Sequence, residues 1–195
     1  MSAKGSVTKS DYIPWEKMLQ ASKDLLDDGK PVFSLFLLAG CCLGLRISDL
    51  RRVTWGDLLY KENILRIEEK KTGKKRALRI NPVLSKHAHL CWEACGLPDP
   101  ESPAFSGRYG AYSVQYLNRI LKKIQAGYDL GPCEHCSTHS LRKSFGRHVV
   151  ENAEHPEMAL IKLSEAFNHS NVKITKIYLG ITEEEILSLY DNLFS

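Results

Sequence analysis

Six side chains in this sequence have the types and surroundings to handle a phosphodiester. They are Arg46 in Gly44-Leu45-Arg46-Ile47-Ser48-Asp49-Leu50, Lys71 in Lys71-Thr72-Gly73-Lys74, His139 and Arg142 in His139-Ser140-Leu141-Arg142, His169 in Asn168-His169-Ser170, and Tyr178. Two guanidinium groups can clamp phosphate oxygens with bidentate, charge-assisted hydrogen bonds. Imidazoles can donate to oxygens that gain charge at a transition state, and an ammonium can protonate a leaving alkoxide. A phenol can serve as a covalent nucleophile, but it is largely protonated at neutral pH and needs cationic neighbours. The chemistry this set suits is the transfer of a phosphodiester onto a tyrosine.

Order and spacing carry more than the inventory. The residues run Arg46, Lys71, His139 with Arg142, His169 and Tyr178, and Tyr178 follows His169 by nine positions. In this order the chain resembles the catalytic domain of the tyrosine recombinases, the phage-integrase family, from about Tyr12 to the C-terminus. The family's Gly-Leu-Arg-x-Ser-Glu/Asp-Leu box is met by residues 44 to 50, its His-x-x-Arg box by 139 to 142, and its closing Gly-His-Ser…Tyr box by 168 to 178. Two positions depart from the pattern. Asn168 replaces the usual glycine, and asparagine tolerates the left-handed conformation that glycine would supply. Ile174 stands where the family usually has threonine.

The resemblance implies a site-specific DNA recombinase of mainly α fold with a small antiparallel β-sheet. It implies Tyr178 as nucleophile, giving a 3′-phosphotyrosyl bond, and Arg46, Arg142, His139 and His169 as stabilisers of the phosphorane. Lys71 would be the acid for the leaving 5′-oxygen, and Asp49 a supporting residue. No cofactor or metal is expected. The implied partner is double-stranded DNA, engaged by a homo-tetramer whose C-terminal helices are exchanged between protomers. Three other functions use parts of the same sequence. These are DNA relaxation of the type IB topoisomerase kind, a DNA-binding module without catalysis, and a zinc-stabilised interaction domain built on the cysteine pairs.

Each candidate also has an ordinary structural role. Arg46 and Asp49 lie three residues apart, where they could simply form an ion pair on one helical face. Lys70, Lys74 and Lys75 compete with Lys71, and the match to the family's hairpin lysine selects Lys71. His139 and Arg142, one helical turn apart, could serve as a helix cap or ion pair. His169 could be a helix-end histidine. Tyr190 competes with Tyr178 but falls on the apolar stripe of a terminal helix, whereas Tyr178 follows the polar stretch of Lys173, Thr175 and Lys176.

The elements that must position these groups follow from periodicity. A helix is predicted from about Pro14, with proline in its first turn and Met18, Leu19, Leu25 and Leu26 at helical spacing. Asp27-Asp28-Gly29-Lys30 breaks it, and Pro31 opens an apolar helix that ends at Gly44 and delivers Arg46 to a junction. Leu50 to Trp55 reads as the end of a short helix. Ile64 to Ile67 and Ala77 to Ile80 read as strands joined by a turn at Lys71 to Lys75. Pro82 starts a helix to about Cys95, residues 96 to 108 form a loop, and Ala111 to Ala126 is helical. Ser137 or Thr138 could cap the helix of the His139 box. Pro156 begins another helix, and a terminal helix is predicted over 183 to 193. Residues 1 to 10 are read as a disordered N-terminal segment and 11 to 195 as the catalytic domain, without the family's N-terminal core-binding domain.

Bulk properties are compatible with this reading. The chain has 195 residues, 43% of them hydrophobic, enough for one well-packed domain with at most a small appendage. The net charge of +4 permits nucleic-acid binding without demanding it. Cations do gather locally, at Arg46, Arg51 and Arg52, at Lys70 to Arg79, and at Arg142, Lys143 and Arg147. The longest apolar stretch, Pro31 to Leu45, is about fifteen residues, short of the roughly 20 needed to span a bilayer. With no apolar leader at the start, a cytoplasmic location is expected. Among six cysteines, Cys133-x-x-Cys136 and Cys91-x-x-x-Cys95 could supply four thiolates to zinc. Their spacings differ, and reduced thiols are the simpler reading.

Overall fold

The computed structural model describes residues 10–59 and 63–181 of the chain. It divides into two units, Met1–Phe145 and Gly146–Ser195. The terminal helix expected over 183 to 193 and the segment 1 to 9 lie outside the described residues. Among the described residues no helix is long and apolar enough to cross a membrane.

The first unit is built around helix α2 (Pro31–Leu43), whose run Leu35 to Ala39, with Cys41, is buried all round. A helix apolar on every side must be covered on every side. Helix α1 (Trp15–Asp27) packs on it, and so does the helix Pro82–Ala94 from later in the chain. Phe36 meets Phe105 edge to face with ring centroids 6.0 Å apart, an arrangement the ring quadrupoles favour. Gly44 ends α2 in the left-handed conformation (φ 57°), and a Cβ there would overlap the Phe145 ring. Glycine is required at that position for both reasons.

The expected short helix ending at Trp55 is instead two, α3 (Ile47–Leu50) and α4 (Trp55–Leu59). Thr54 separates them and starts α4 with a reciprocal cap: Asp57 N–H donates to the Thr54 hydroxyl and Thr54 N–H to the Asp57 carboxylate. Strand β1 (Ile64–Glu68) then pairs antiparallel with β2 (Lys75–Arg79), from Ile64 opposite Arg79 to Glu68 opposite Lys75. The turn between them is closed by the Glu69 N–H donating to Lys74 O (3.0 Å) and the Gly73 N–H to Glu69 O (2.8 Å). Helix α5 (Pro82–Ala94) follows, capped by the Asn81 side chain.

A second hairpin was not expected. Strands β3 (Ser106–Gly107) and β4 (Gly110–Ala111) pair antiparallel across Arg108-Tyr109. Helix α6 (Val114–Gly127) therefore starts three residues later than its apolar stripe suggested, with the Ser113 hydroxyl accepting from the Tyr116 N–H.

Helix α7 (Thr138–Glu151) runs through the boundary between the units. In the second unit, α8 (Pro156–Phe167) and α9 (Val172–Leu179) pack on each other. Asn168 ends α8 with φ 54° and ψ 46°, the left-handed conformation expected for the residue that replaces glycine. Its N–H donates to Glu165 O and the His169 N–H to Ser164 O, both at 2.9 Å, which satisfies the last carbonyls of α8. The Asn171 side chain then accepts from the Ile174 N–H and starts α9 at once.

Candidate active site

In the first unit, Arg142 connects two of the sequence boxes. It lies on α7, its side chain is buried, and its Nη1 donates to the Gly44 carbonyl at 2.8 Å. That carbonyl belongs to the left-handed cap of α2, so the turn that introduces Arg46 is also what Arg142 holds. The N-terminus of α7 is fixed from both sides. The Ser137 hydroxyl accepts from the His139 N–H, the Ser140 hydroxyl accepts from the Ser137 N–H, and Asn118 of α6 accepts from the Thr138 N–H. Ser137 is thus the capping residue among the two candidates. His139 lies one turn before Arg142 on α7. Desolvation of its ring, then the charges of Arg142 and Lys143, push its imidazole below the usual histidine value.

Arg46 occupies the N-cap position of α3 in extended backbone. Its partner is not Asp49 but Glu69: Arg46 Nη1 donates to Glu69 Oε2 at 2.7 Å. The reason is positional. Arg46 stands before the helix begins, so it does not share a helical face with Asp49. The Asp49 carboxylate, buried in α3, accepts instead from the Lys70 N–H at 2.9 Å, with Arg52 3.9 Å away. Asp49 thereby fixes the backbone next to Lys71. Lys71 is exposed on the β1–β2 turn, as are Lys70 and Lys74.

In the second unit, three rings stand together. The centroids of His169 and Tyr178 are 5.4 Å apart, and Phe167 lies 5.5 Å from His169 and 5.7 Å from Tyr178, all near edge to face. The nine-residue offset produces this meeting. Asn168 turns the chain, and Tyr178 comes round on α9 to the side where His169 enters. Thr175, fully buried on α9, places its Oγ1 2.9 Å from His169 Nδ1. Gly146 lets α9 approach, since a Cβ there would overlap the Leu179 side chain.

The structure thus brings Arg46, Arg142 and the Lys71 turn into one bonded framework in the first unit, with His139 on the same helix as Arg142. It brings His169 and Tyr178 together in the second. Sequence reasoning missed Glu69 and Thr175. It also missed a stretch without acids, Ser102 to Tyr128, which carries Arg108, Arg119, Lys122 and Lys123. Within it Tyr109 is 96% exposed at the hairpin tip, with the Arg108 guanidinium 5.9 Å from its ring centroid.

Cys41, Cys91, Cys133 and Cys136 are buried, and all six thiols are free. The Cys133 thiol lies 3.9 Å from the Ser140 hydroxyl, and interaction with Cys133, then burial, raises the Cys136 pKa well above the usual thiol value. Among the described residues no group of three or more His, Cys, Asp or Glu is placed to hold a metal ion.

Comparison with known proteins agrees with the boxes. Residues 16–185 match the Phage integrase family. The tyrosine recombinase XerC of Agrobacterium fabrum is 30% identical over 166 residues, covering 81% of this chain and 48% of that protein. The probable integrase/recombinase YoeC of Bacillus subtilis is 29% identical over 175 residues, covering 90% of this chain and 91% of that protein. The chain thus spans about half the length of the XerC relatives it matches. Among solved structures, XerA recombinase superposes with a TM-score of 0.72 at 14% identity, over 100% of this chain and 67% of that one. XerH site-specific recombinase bound to palindromic difH substrate gives 0.67 at 16% identity, over 95% of this chain and 54% of that one. These likenesses at low identity establish the fold.

Proposed function

The chain belongs to the phage integrase family, and from that premise we propose that it is the catalytic domain of a tyrosine-type site-specific DNA recombinase. The observations that carry the reading are the pairing of His169 with Tyr178 within the second unit and, within the first, the bonded framework of Arg46, Arg142 and the Lys71 turn. The Tyr178 oxygen attacks the scissile phosphorus, and the bond from phosphorus to the 5′-oxygen breaks. A 3′-phosphotyrosine and a 5′-hydroxyl result. Arg46 and Arg142 hold the non-bridging oxygens as the phosphorane gains charge. His139, whose depressed pKa keeps it neutral at physiological pH, accepts the phenolic proton or donates a single N–H. A Thr175 hydroxyl that donates to Nδ1, 2.9 Å away, leaves the His169 proton on Nε2, the tautomer that can donate to a phosphate oxygen. Lys71 protonates the leaving 5′-oxygen.

The phosphotyrosine keeps the energy of the broken bond. Attack by a 5′-hydroxyl from the partner strand then completes exchange without ATP or metal. XerH, a structural relative, is a site-specific recombinase bound to its palindromic difH substrate, and a double-stranded DNA partner suits the cations gathered at residues 46 to 52, 70 to 79 and 142 to 147 here. As the family resemblance implies, the assembly is a homo-tetramer that exchanges C-terminal segments. The exposed apolar side chains Met158 and Ile161 of α8 and Ile174 and Ile177 of α9 offer a surface for such an exchange.

A nicked suicide duplex carrying the native site tests the reading. Loss of the short 5′-hydroxyl product traps the covalent complex, which migrates with the DNA on a denaturing gel. Relaxation of supercoiled DNA without exchange between two duplexes would point instead to a type IB topoisomerase. Binding without any adduct would leave a DNA-binding module.

A further inference from the structure

Glu69 stands outside the sequence boxes, yet the start of α3, the β1–β2 turn and β2 all meet on it. Its side chain is 2% exposed. Oε2 accepts from Arg46 Nη1 at 2.7 Å and from the Thr72 hydroxyl at 2.8 Å. Oε1 accepts from Arg76 Nη1 at 2.7 Å. The Glu69 backbone closes the turn that carries Lys71, through the Lys74 carbonyl and the Thr72 and Gly73 amides. A glutamate at the end of a strand is ordinarily solvated. Burial of this carboxylate between two guanidinium groups is costly unless its oxygens are satisfied by good hydrogen bonds, and here they are.

On the recombinase reading above, we propose that Glu69 is a positioning residue that locks the Arg46 guanidinium to the Lys71 turn, so that the phosphate clamp and the general acid keep a fixed spacing before DNA arrives. A guanidinium has five N–H donors in a rigid fork. Anchoring Nη1 to a carboxylate fixes the plane of that fork and thus the direction in which its other donors can meet a phosphate. The same oxygen that anchors Arg46 accepts from Thr72, the residue following Lys71, so displacement of one group is felt by the other. Positional errors of about 1 Å at such a site can lower a rate by about 100-fold.

The test is single-turnover cleavage of the nicked suicide duplex by the full chain. Glu69→Gln keeps the shape, but its amide cannot accept from both arginines. Cleavage is expected to fall about tenfold or more at saturating DNA, with the dissociation constant for the duplex changed by less than about threefold. Thr72→Val, which removes one arm, should lose roughly threefold. In an Arg46→Ala background, Glu69→Gln should cost little more, because the residue acts through Arg46. Cleavage by Glu69→Gln equal to or faster than wild type overturns the inference, as does an undiminished loss in the Arg46→Ala background, which would indicate a general structural role. If Glu69→Gln does not fold, the Thr72→Val pair, with and without Arg46→Ala, decides on the same criteria. A wild-type chain that forms no adduct overturns the recombinase reading and this inference with it. An adduct from wild type with unaffected variants overturns this inference alone.

Discussion

Arg142 Nη1 donates to the carbonyl of Gly44 at 2.8 Å, so an arginine of one box is held by the backbone that presents the arginine of another. The link depends on the left-handed cap of α2. Any side chain at residue 44 meets both a strained φ and the Phe145 ring. Gly44→Ala is therefore expected to destabilise the fold by about 1–3 kcal/mol, measured by chemical denaturation. Cleavage at a temperature where the variant remains folded should fall as well, because the carbonyl that orients Arg142 moves. Full cleavage activity in a folded Gly44→Ala would show that this bond does not set the position of Arg142.

Tyr178→Phe should abolish covalent attachment to DNA while leaving duplex binding nearly unchanged, since only the nucleophilic oxygen is removed. A denaturing gel distinguishes the outcomes directly. A trapped adduct from this variant would remove Tyr178 from its role. Tyr190→Phe, the rival from the terminal segment, should behave as wild type.

Lys71→Ala should slow cleavage by about 100-fold or more on an ordinary substrate, the range associated with loss of a general acid. On a duplex with sulfur in place of the scissile 5′-oxygen, the loss should be far smaller, because a thiolate leaves without a proton. Equal losses on the two substrates would move the role to Lys70 or Lys74, which share the exposed turn.

Much of this arrangement was legible in the residues. The helix breaks at Asp27-Asp28-Gly29 and Asn168, the first hairpin and the starts of α2, α5 and α8 at prolines all follow from local chemistry, and the structure bears them out. What was not legible depends on distance along the chain. Glu69 reaches Arg46 across 23 positions, and nothing in a strand-end glutamate announces that it is buried. The three-residue spacing that would let Arg46 pair with Asp49 on a helical face does not apply, because Arg46 precedes its helix. The second hairpin escaped because strands of two residues show no alternation, although Gly107 and Gly110 flank its tip.

Acid should weaken the first unit through Glu69. Burial raises its carboxyl pKa, but the hydrogen bonds from Arg76, Thr72 and Arg46 more than reverse this and hold it at about 2, against 4.5 for an ordinary glutamate. A depressed carboxylate contributes stability that is fully present above the unfolded value and is lost as pH falls towards the folded one. The window is therefore from about 4.5 down to about 2. His139 acts at higher pH: its folded value lies below 6.5, so the unfolded chain binds the proton more readily and stability declines as pH drops through that value. Denaturation midpoints measured against pH should fall across the lower window in wild type and stay flatter there in Glu69→Gln. Identical slopes would mean that Glu69 is not ionised against its arginines.

Thr175 offers the sharpest probe of the second unit. Its hydroxyl is fully buried and lies 2.9 Å from His169 Nδ1. Valine has nearly the same shape but no hydroxyl, so Thr175→Val removes the bond with little change in packing. The fold should lose about 1 kcal/mol, the usual net value of one hydrogen bond. The larger effect is on the imidazole, whose Nδ1 then has no hydroxyl to accept from, so the proton is no longer directed to Nε2. Nitrogen NMR of the histidine ring should show a mixture of tautomers in the variant where wild type shows the Nε2–H form. Cleavage should drop about tenfold in parallel, with DNA binding preserved, because a donor to the phosphate is lost for part of the population. If the ring nitrogens give the same shifts in both proteins, Thr175 does not set the tautomer, and the role of His169 must rest on its contact with Tyr178.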